Sequence, residues 1–177
     1  MRQNTTRELI ERFMRELGSV VRSDGCVYFT GGVSAVLLGW REMTLDVDVK
    51  ADPEPLGFFE GLPKLKEQLD INIELASPDL FVPPLPGWRE RSLFIATHGR
   101  LAFYHYDFYG QALAKIERAH PRDRLDVRSM IEAGFVQPDR LAALVAEVQG
   151  EMLRYPAIDA AALTESVRTI AQEGRWA

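Results

Sequence analysis

The stretch "TLDVDV", Thr44 to Val49, admits few structures. Its residues alternate in character, and in a strand alternate side chains leave on opposite faces. Leu45, Val47 and Val49 therefore ask for a core, while Asp46 and Asp48 stand together on the other face with Cα atoms roughly 6.5–7 Å apart. Aspartate is disfavoured in strands, and two like charges at that spacing destabilise each other unless something positive lies beside them. Upstream, "CVYFT" reads as a short apolar strand that runs into Gly31 and Gly32, and "VSAVLLG" as a short buried helix closed by Gly39. The expected unit is strand, glycine turn, helix, strand, with two carboxylates on the last element.

The rest of the chain supplies the partners for that unit. Leu9, Ile10, Phe13, Met14 and Leu17 recur at helical spacing, which predicts an amphipathic helix over 5–17 stopped at Gly18. Leu56, Phe58, Phe59, Leu62, Leu65 and Leu69 predict a second helix interrupted by Pro63. "LDINIEL" alternates and predicts a third strand with Asp70, Asn72 and Glu74 on one face. "FVPPLPGW" is too rich in proline for a central strand, and "SLFIAT" and "RLAFYHY" around His98 and Gly99 predict a hairpin. Four helical segments follow: "DFYGQALAKIERA", "PRDRLDVRSMIEAG" with Pro121 at its first position, "PDRLAALVAEVQGEML" and "DAAALTESVRTIAQEG". Strands fall in the first part and helices in the second. The expected fold is α+β, with a strand-rich core over 1–106 and a helical C-terminal part over 107–177 packed on it.

Composition removes several alternatives. With 46% hydrophobic and 27% charged residues the chain has an ordinary globular balance, and no apolar run reaches the ~20 residues of a membrane span. The opening "MRQNTTRELIERFMRELG" mixes acids and arginines and reads as neither a signal nor a transit peptide. Cys26 is the single cysteine, so no intramolecular disulfide forms, and a cytoplasmic location is the default. The net charge of -5 speaks against a protein that coats nucleic acid nonspecifically. "KIERAHPRDRLDVR", Lys115 to Arg128, nevertheless carries one Lys and four Arg against one Glu and two Asp. Such a stretch fits either a phosphate-bearing partner or a solvated helix laced with ion pairs.

The chemistry-bearing residues are few. Glycines after a strand leave backbone N–H groups open to a phosphate, and Ser34 offers a hydroxyl to the same cradle. Asp46 and Asp48 are hard oxygen ligands of the kind Mg²⁺ shares with substrate phosphates. A third carboxylate is expected on the neighbouring strand, where spacing leaves both Asp70 and Glu74 open; Glu74, nearer the strand's end, is preferred. Lys115 is one of four lysines among seventeen arginines, and a compact ammonium suits a triphosphate. Asp123 and Asp126, at i and i+3, can orient it or accept a proton, although acids in a first turn also simply favour the helix dipole. No histidine or cysteine set has zinc spacing, and His98, His105 and His120 are assigned to structure; Trp88 reads as a core anchor more readily than as a base-stacking platform.

These motifs in order form a recognisable pattern. "GGVSAVLLGWREMTLDVDV" resembles the signature of the nucleotidyltransferase superfamily, a glycine turn followed by a D-x-D strand. "ALAKIERAHPRDRLDV" resembles the lysine and R-D-x-x-D motifs of its AbiEii and MenT toxin branch and of related uncharacterised bacterial nucleotidyltransferases. The resemblance implies a mixed-sheet nucleotidyltransferase core flanked by helices, Mg²⁺ as cofactor and a nucleoside triphosphate as substrate. It implies phosphate binding by Gly31, Gly32, Ser34 and Lys115, metal binding by Asp46 and Asp48, and a catalytic set of Asp46, Asp48, Lys115 and Asp126; Glu74 joins the metal set as the preferred third carboxylate from its place on the strand, not from the resemblance. In the toxin relatives the acceptor is the 3′ end of tRNA; an RNA or protein acceptor and an antitoxin partner follow as expectations. Val33 separates the glycines from Ser34, a departure from the family pattern that keeps open a non-catalytic nucleotide- or protein-binding module. D-x-D also serves nucleotide-sugar glycosyltransferases, but the short chain and the glycine turn fit them poorly.

Overall fold

A computed structural model describes residues 4–176. In chain order the elements are β1 (Thr5–Thr6), α1 (Arg7–Val20), β2 (Gly25–Phe29), α2 (Gly31–Leu37), β3 (Met43–Thr44), β4 (Asp46–Ala51), α3 (Phe58–Gln68), β5 (Asn72–Glu74), α4 (Trp88–Arg91), β6 (Leu93–His98), β7 (Leu101–His105), α5 (Phe108–Arg118), α6 (Pro121–Glu132), α7 (Pro138–Val148) and α8 (Ala160–Glu173). Single 3-10 segments lie at Pro78–Leu80 and Gln149–Arg154. The architecture is α+β, with a mixed sheet and helices gathered toward the C-terminus. Among the described residues no helix is long and apolar enough to cross a membrane.

The chain forms two compact units. One holds the residues up to Ser77 together with Ser92–Tyr106; the other holds Pro78–Arg91 and the chain from Asp107 onward. The first unit is built on a five-stranded sheet in the order β5-β4-β2-β7-β6. β2 pairs antiparallel with β4 and parallel with β7; β4 and β5 are parallel, and β6 and β7 form the antiparallel hairpin. β1 and β3 make a separate two-stranded pair through Thr5↔Thr44 and Thr6↔Met43. Alternation in β2 and β4 sends Val27, Phe29, Val47 and Val49 into one apolar cluster with Ile10, Phe13 and Leu17 of α1, Leu62 and Leu65 of α3, and Phe103 of β7. Phe29 and Phe103 stack there with ring centroids 5.7 Å apart.

Several expected boundaries move, each for a local reason. The segment 43–50 is two strands rather than one: Leu45 lies between them and is exposed, so the apolar row retains only Val47 and Val49. The third strand is Asn72–Glu74 alone, because Asp70 has φ 52° in the turn after α3 and lies off the ladder. α3 continues through Pro63, carried by the burial of Leu62 and Leu65. The hairpin turns at Gly99 and Arg100, since His98 is still paired with Leu101. α1 passes Gly18 and ends at Val20, so Gly18 is not a stop signal.

Gly18 is instead a point of close approach. A Cβ there would lie 2.3 Å from the His98 carbonyl oxygen, and one on Gly99 would lie 2.2 Å from the Gly18 carbonyl oxygen. The helix and the hairpin turn meet backbone to backbone.

In the second unit, Asp107 caps α5 by accepting from the Tyr109 N–H at 3.3 Å, and Asp159 caps α8 by accepting from Ala162 at 3.0 Å. Pro121 and Pro138 occupy first-turn positions, where their missing N–H costs nothing. Phe108 and Phe135 stack at 4.6 Å. The Arg91 guanidinium donates to both Asp107 oxygens, at 3.0 and 2.7 Å, and so ties the segment before β6 to the start of α5. That pair fastens the end of residues 78–91 to the helical unit.

In an exposed helix interior, Gly to Ala stabilises by about 0.5–1 kcal/mol. At Gly18 we expect the opposite sign: Gly18→Ala destabilises by about 1–3 kcal/mol through overpacking against His98. Urea titration of the two proteins checks this, and a raised midpoint in the variant would contradict the packing.

Candidate functional site

The site begins where β2 ends. Thr30 is extended and Gly31 opens α2 at φ 57°, a conformation that side chains disfavour. A Cβ on Gly31 would lie 3.1 Å from Asp48 Oδ2, and one on Gly32 only 2.1 Å from Thr44 Oγ1. The glycine pair is therefore required by space as well as by backbone. It lets the end of β3 and the start of β4 close on the turn. Thr44 Oγ1 then donates to the Asp46 carbonyl at 3.1 Å, and the Thr30 N–H donates to the Asp48 carbonyl at 3.3 Å. Gly31, Gly32 and Asp48 are brought together, and all are partly exposed.

Beside them the parallel β4–β5 ladder sets Asp46 against Asn72 and Asp48 against Glu74. Four polar side chains thus share one face of two strands. Glu74 is the carboxylate abreast of Asp48, whereas Asp70 sits in the preceding turn. Asn72 Nδ2 donates to Asp46 Oδ1 at 2.7 Å and to Glu74 Oε1 at 2.9 Å. A neutral amide thus holds two anions without adding charge. Among the described residues no three His, Cys, Asp or Glu side chains converge into a ready metal cage. Mg²⁺ does not require one, since it is commonly held by one or two carboxylates together with substrate phosphates. Asp46 and Asp48, partly exposed hard oxygen donors beside a side-chain-free turn, fit that ion.

Ser34 points elsewhere. It is buried, and its hydroxyl lies 3.4 Å from the Phe29 carbonyl and 2.9 Å from His105 Nδ1. The hydroxyl expected in the phosphate cradle fastens α2 to the end of β7.

In the second unit, Lys115 of α5 is buried, and its ammonium donates to Asp123 Oδ1 at 3.0 Å and to Asp126 Oδ2 at 2.6 Å. Arg118 donates to both Asp123 oxygens, at 2.8 and 2.7 Å. Burial pushes the Asp123 carboxyl up, but the Arg118 hydrogen bond and the Lys115 ammonium outweigh it and hold the group below its usual value. The two cations and two anions cancel, so the cluster is a neutral fastening between α5 and α6 as well as a place for Lys115. The expected orientation of Lys115 by Asp123 and Asp126 is present in these hydrogen bonds.

Residues 8–168 match the family described as nucleotidyltransferase of unknown function (DUF6036), and the chain belongs to that family. Neither a curated protein nor a solved structure matches it significantly. Membership carries the nucleotidyltransferase superfamily, and with it a nucleotide substrate. The α+β architecture with its mixed sheet agrees with a nucleotidyltransferase-like fold.

Sequence reasoning gave no role to Asn72, Thr44 or His105. Asn72 had a signal, since it falls between two acids on one strand face. Thr44 had none, because its contact with Gly32 depends on how two strands close. His105 is buried on β7, and burial lowers its pKa to about 4. Its unfolded value is near 6.5, so the neutral ring contributes stability that is fully present above pH ~6.5. That stability is lost as the pH falls toward 4, by at most about 3 kcal/mol. We expect His105→Gln to flatten the dependence of the melting temperature on pH between ~6.5 and ~4. An unchanged slope in that window would contradict the neutral, buried imidazole.

Proposed function

We propose that the protein is a Mg²⁺-dependent nucleotidyltransferase that moves a nucleotidyl group from a nucleoside triphosphate to an RNA of tRNA type or to a protein. The observation that carries this reading is the closure of Asp48 on the Gly31–Gly32 turn, with Asp46 on the same strand face. It puts two carboxylates beside a turn whose first two residues carry no side chain. In the reaction, an acceptor hydroxyl oxygen bonds to the α-phosphorus, the bond to pyrophosphate breaks, and the hydroxyl proton passes to a base. Gly31 and Gly32 admit the phosphates, Asp46 and Asp48 hold the ion, and Glu74 stands by as the third carboxylate, tied by Asn72. Mg²⁺ supplies neutralisation of the charge that develops on the phosphoryl oxygens. Lys115 contacts the triphosphate, and Asp126 either takes the proton or positions that lysine; its hydrogen bond to Lys115 favours positioning. Ser34 supports the turn through His105.

The resemblance of its lysine and R-D-x-x-D motifs to those of the AbiEii and MenT toxins supports a finer reading, in which the protein is the toxin of a toxin–antitoxin pair, has an antitoxin partner and works in the cytoplasm. One observation favours a second reading, a non-catalytic nucleotide- or protein-binding module: Val33 and Ser34 are both buried, so neither offers a side chain to a phosphate.

Label transfer separates the two. Purified protein, Mg²⁺ and each α-labelled triphosphate in turn are incubated with total tRNA, beside an Asp46→Ala/Asp48→Ala variant. We expect label in RNA or on a protein band, reduced by about 10²–10³ or more in the variant. Melting curves of the two proteins without Mg²⁺ check that the variant is folded, since it loses the Asn72 hydrogen bond to Asp46 as well as two like charges. Nucleotide binding with no transfer to either acceptor would establish the binding module instead.

A further inference from the structure

The stretch Lys115–Arg128 has a modest positive excess in sequence, but its charges do not share one surface. Lys115, Asp123 and Asp126 are buried and satisfy one another. Arg122, Arg124 and Arg128 of α6 are exposed, as is Arg118 at the end of α5. Folding therefore buries Asp123 and Asp126 and leaves these guanidiniums exposed, with Glu117 half-exposed and Glu132 exposed at the two ends of the stretch. Arg124 and Arg128 stand one turn apart at i and i+4, with exposed Leu125 alongside and Arg122 on the flank. Neither Arg122 nor Arg128 forms an ion pair among the described residues. The Arg124 guanidinium lies over the Trp176 ring, 5.3 Å from its centroid. The exposed acids nearest in sequence are Glu132, one turn beyond Arg128, and Glu173, near Trp176. The whole strip belongs to the helical unit of a chain whose net charge is -5.

We propose that the outer face of α6, with Arg122, Arg124, Arg128 and Trp176, is a docking surface for RNA. Guanidiniums bind phosphate oxygens in a planar, two-pronged way, and one aromatic ring beside them offers a stacking face for a base. An acidic protein would match the same charge without using the stacking of bases, and polyglutamate stands for it in the test. The inference rests on the nucleotidyltransferase reading only in making RNA the acceptor; binding itself is measurable without transfer.

The test is fluorescence anisotropy with a short fluorescein-labelled RNA of mixed sequence, titrated with full-length protein across about 50–200 mM salt. The proteins are wild type, Arg122→Gln/Arg128→Gln, Arg128→Gln alone and Asp46→Asn/Asp48→Asn. Binding by wild type is expected to weaken roughly ten-fold in the double arginine variant, with a log–log salt slope shallower by about 1.4, or 0.7 per lost single-strand phosphate contact. The single variant should show half that change in slope and guards against a folding defect in the double one. The aspartate variant should bind RNA like wild type. Equal affinity and slope for wild type and both arginine variants would overturn the proposal. So would absence of RNA binding at the lowest salt, or polyglutamate binding as tightly as RNA. RNA binding that needs the arginines, in a protein that transfers no nucleotide, leaves this surface standing and sinks the catalytic reading alone.

Discussion

The absence of side chains at Gly31 and Gly32 is the constraint from which the first unit's arrangement follows. Any Cβ at Gly32 collides with the Thr44 hydroxyl, and one at Gly31 presses on the Asp48 carboxylate. Because that space is empty, the segment joining β3 to β4 lies against the turn, and β4 keeps its ladder to β2 through Phe29↔Val49 while its acids remain near the start of α2. The same geometry decides where Val47 and Val49 go. Their burial on the opposite face fixes the register, and a slip of one residue would drive Asp46 and Asp48 into the core. Packing on one face thus enforces the polar arrangement on the other.

The polar face is held by a neutral donor. Asn72 supplies two hydrogen bonds to carboxylates that would otherwise repel, and a carboxylate at that position would place another anion beside Asp46. An amide satisfies those oxygens without adding a charge to the face. The second unit solves a related problem with opposite charges. Lys115 lies where an isolated ammonium would be expensive, and Asp123 and Asp126 make its burial tolerable at the cost of fixing it in one geometry. Arg118, itself largely exposed, supplies the second cation that Asp123 needs.

Much of this was legible in the sequence, and the reasons for the rest are specific. Period-two alternation gave the two acids their common face, and Pro121 gave the start of α6. Local signals failed where a distant contact decided. Gly18 reads as a helix stop until the hairpin turn is seen against it, and Pro63 reads as a break until Leu62 and Leu65 are seen buried. The choice between Asp70 and Glu74 lay beyond pattern, because it depended on which residues of "LDINIEL" lie on the ladder with β4. The inward turn of Ser34 was equally hidden: a serine one turn into a helix can face a ligand or the sheet, and His105 on β7 decides for the sheet.

Charge is where sequence counting and structure differ most. Counting residues over 115–128 treats every charge as equal, yet a buried pair contributes almost no field outside the protein while an exposed guanidinium contributes all of its own. Asp123 and Asp126 cancel Lys115 and Arg118 at hydrogen-bonding distance, so what solvent sees of α6 is set by the remaining arginines. The cancellation also has a mechanical side. The bonds that neutralise Lys115 join α5 to α6, so the helix that displays Arg122, Arg124 and Arg128 is anchored by the ion pairs that bury its Asp123 and Asp126. Removing Asp126 would therefore do two things at once, loosening the helix and leaving the buried ammonium to Asp123 alone. An effect of that substitution on function is interpretable only alongside its effect on stability.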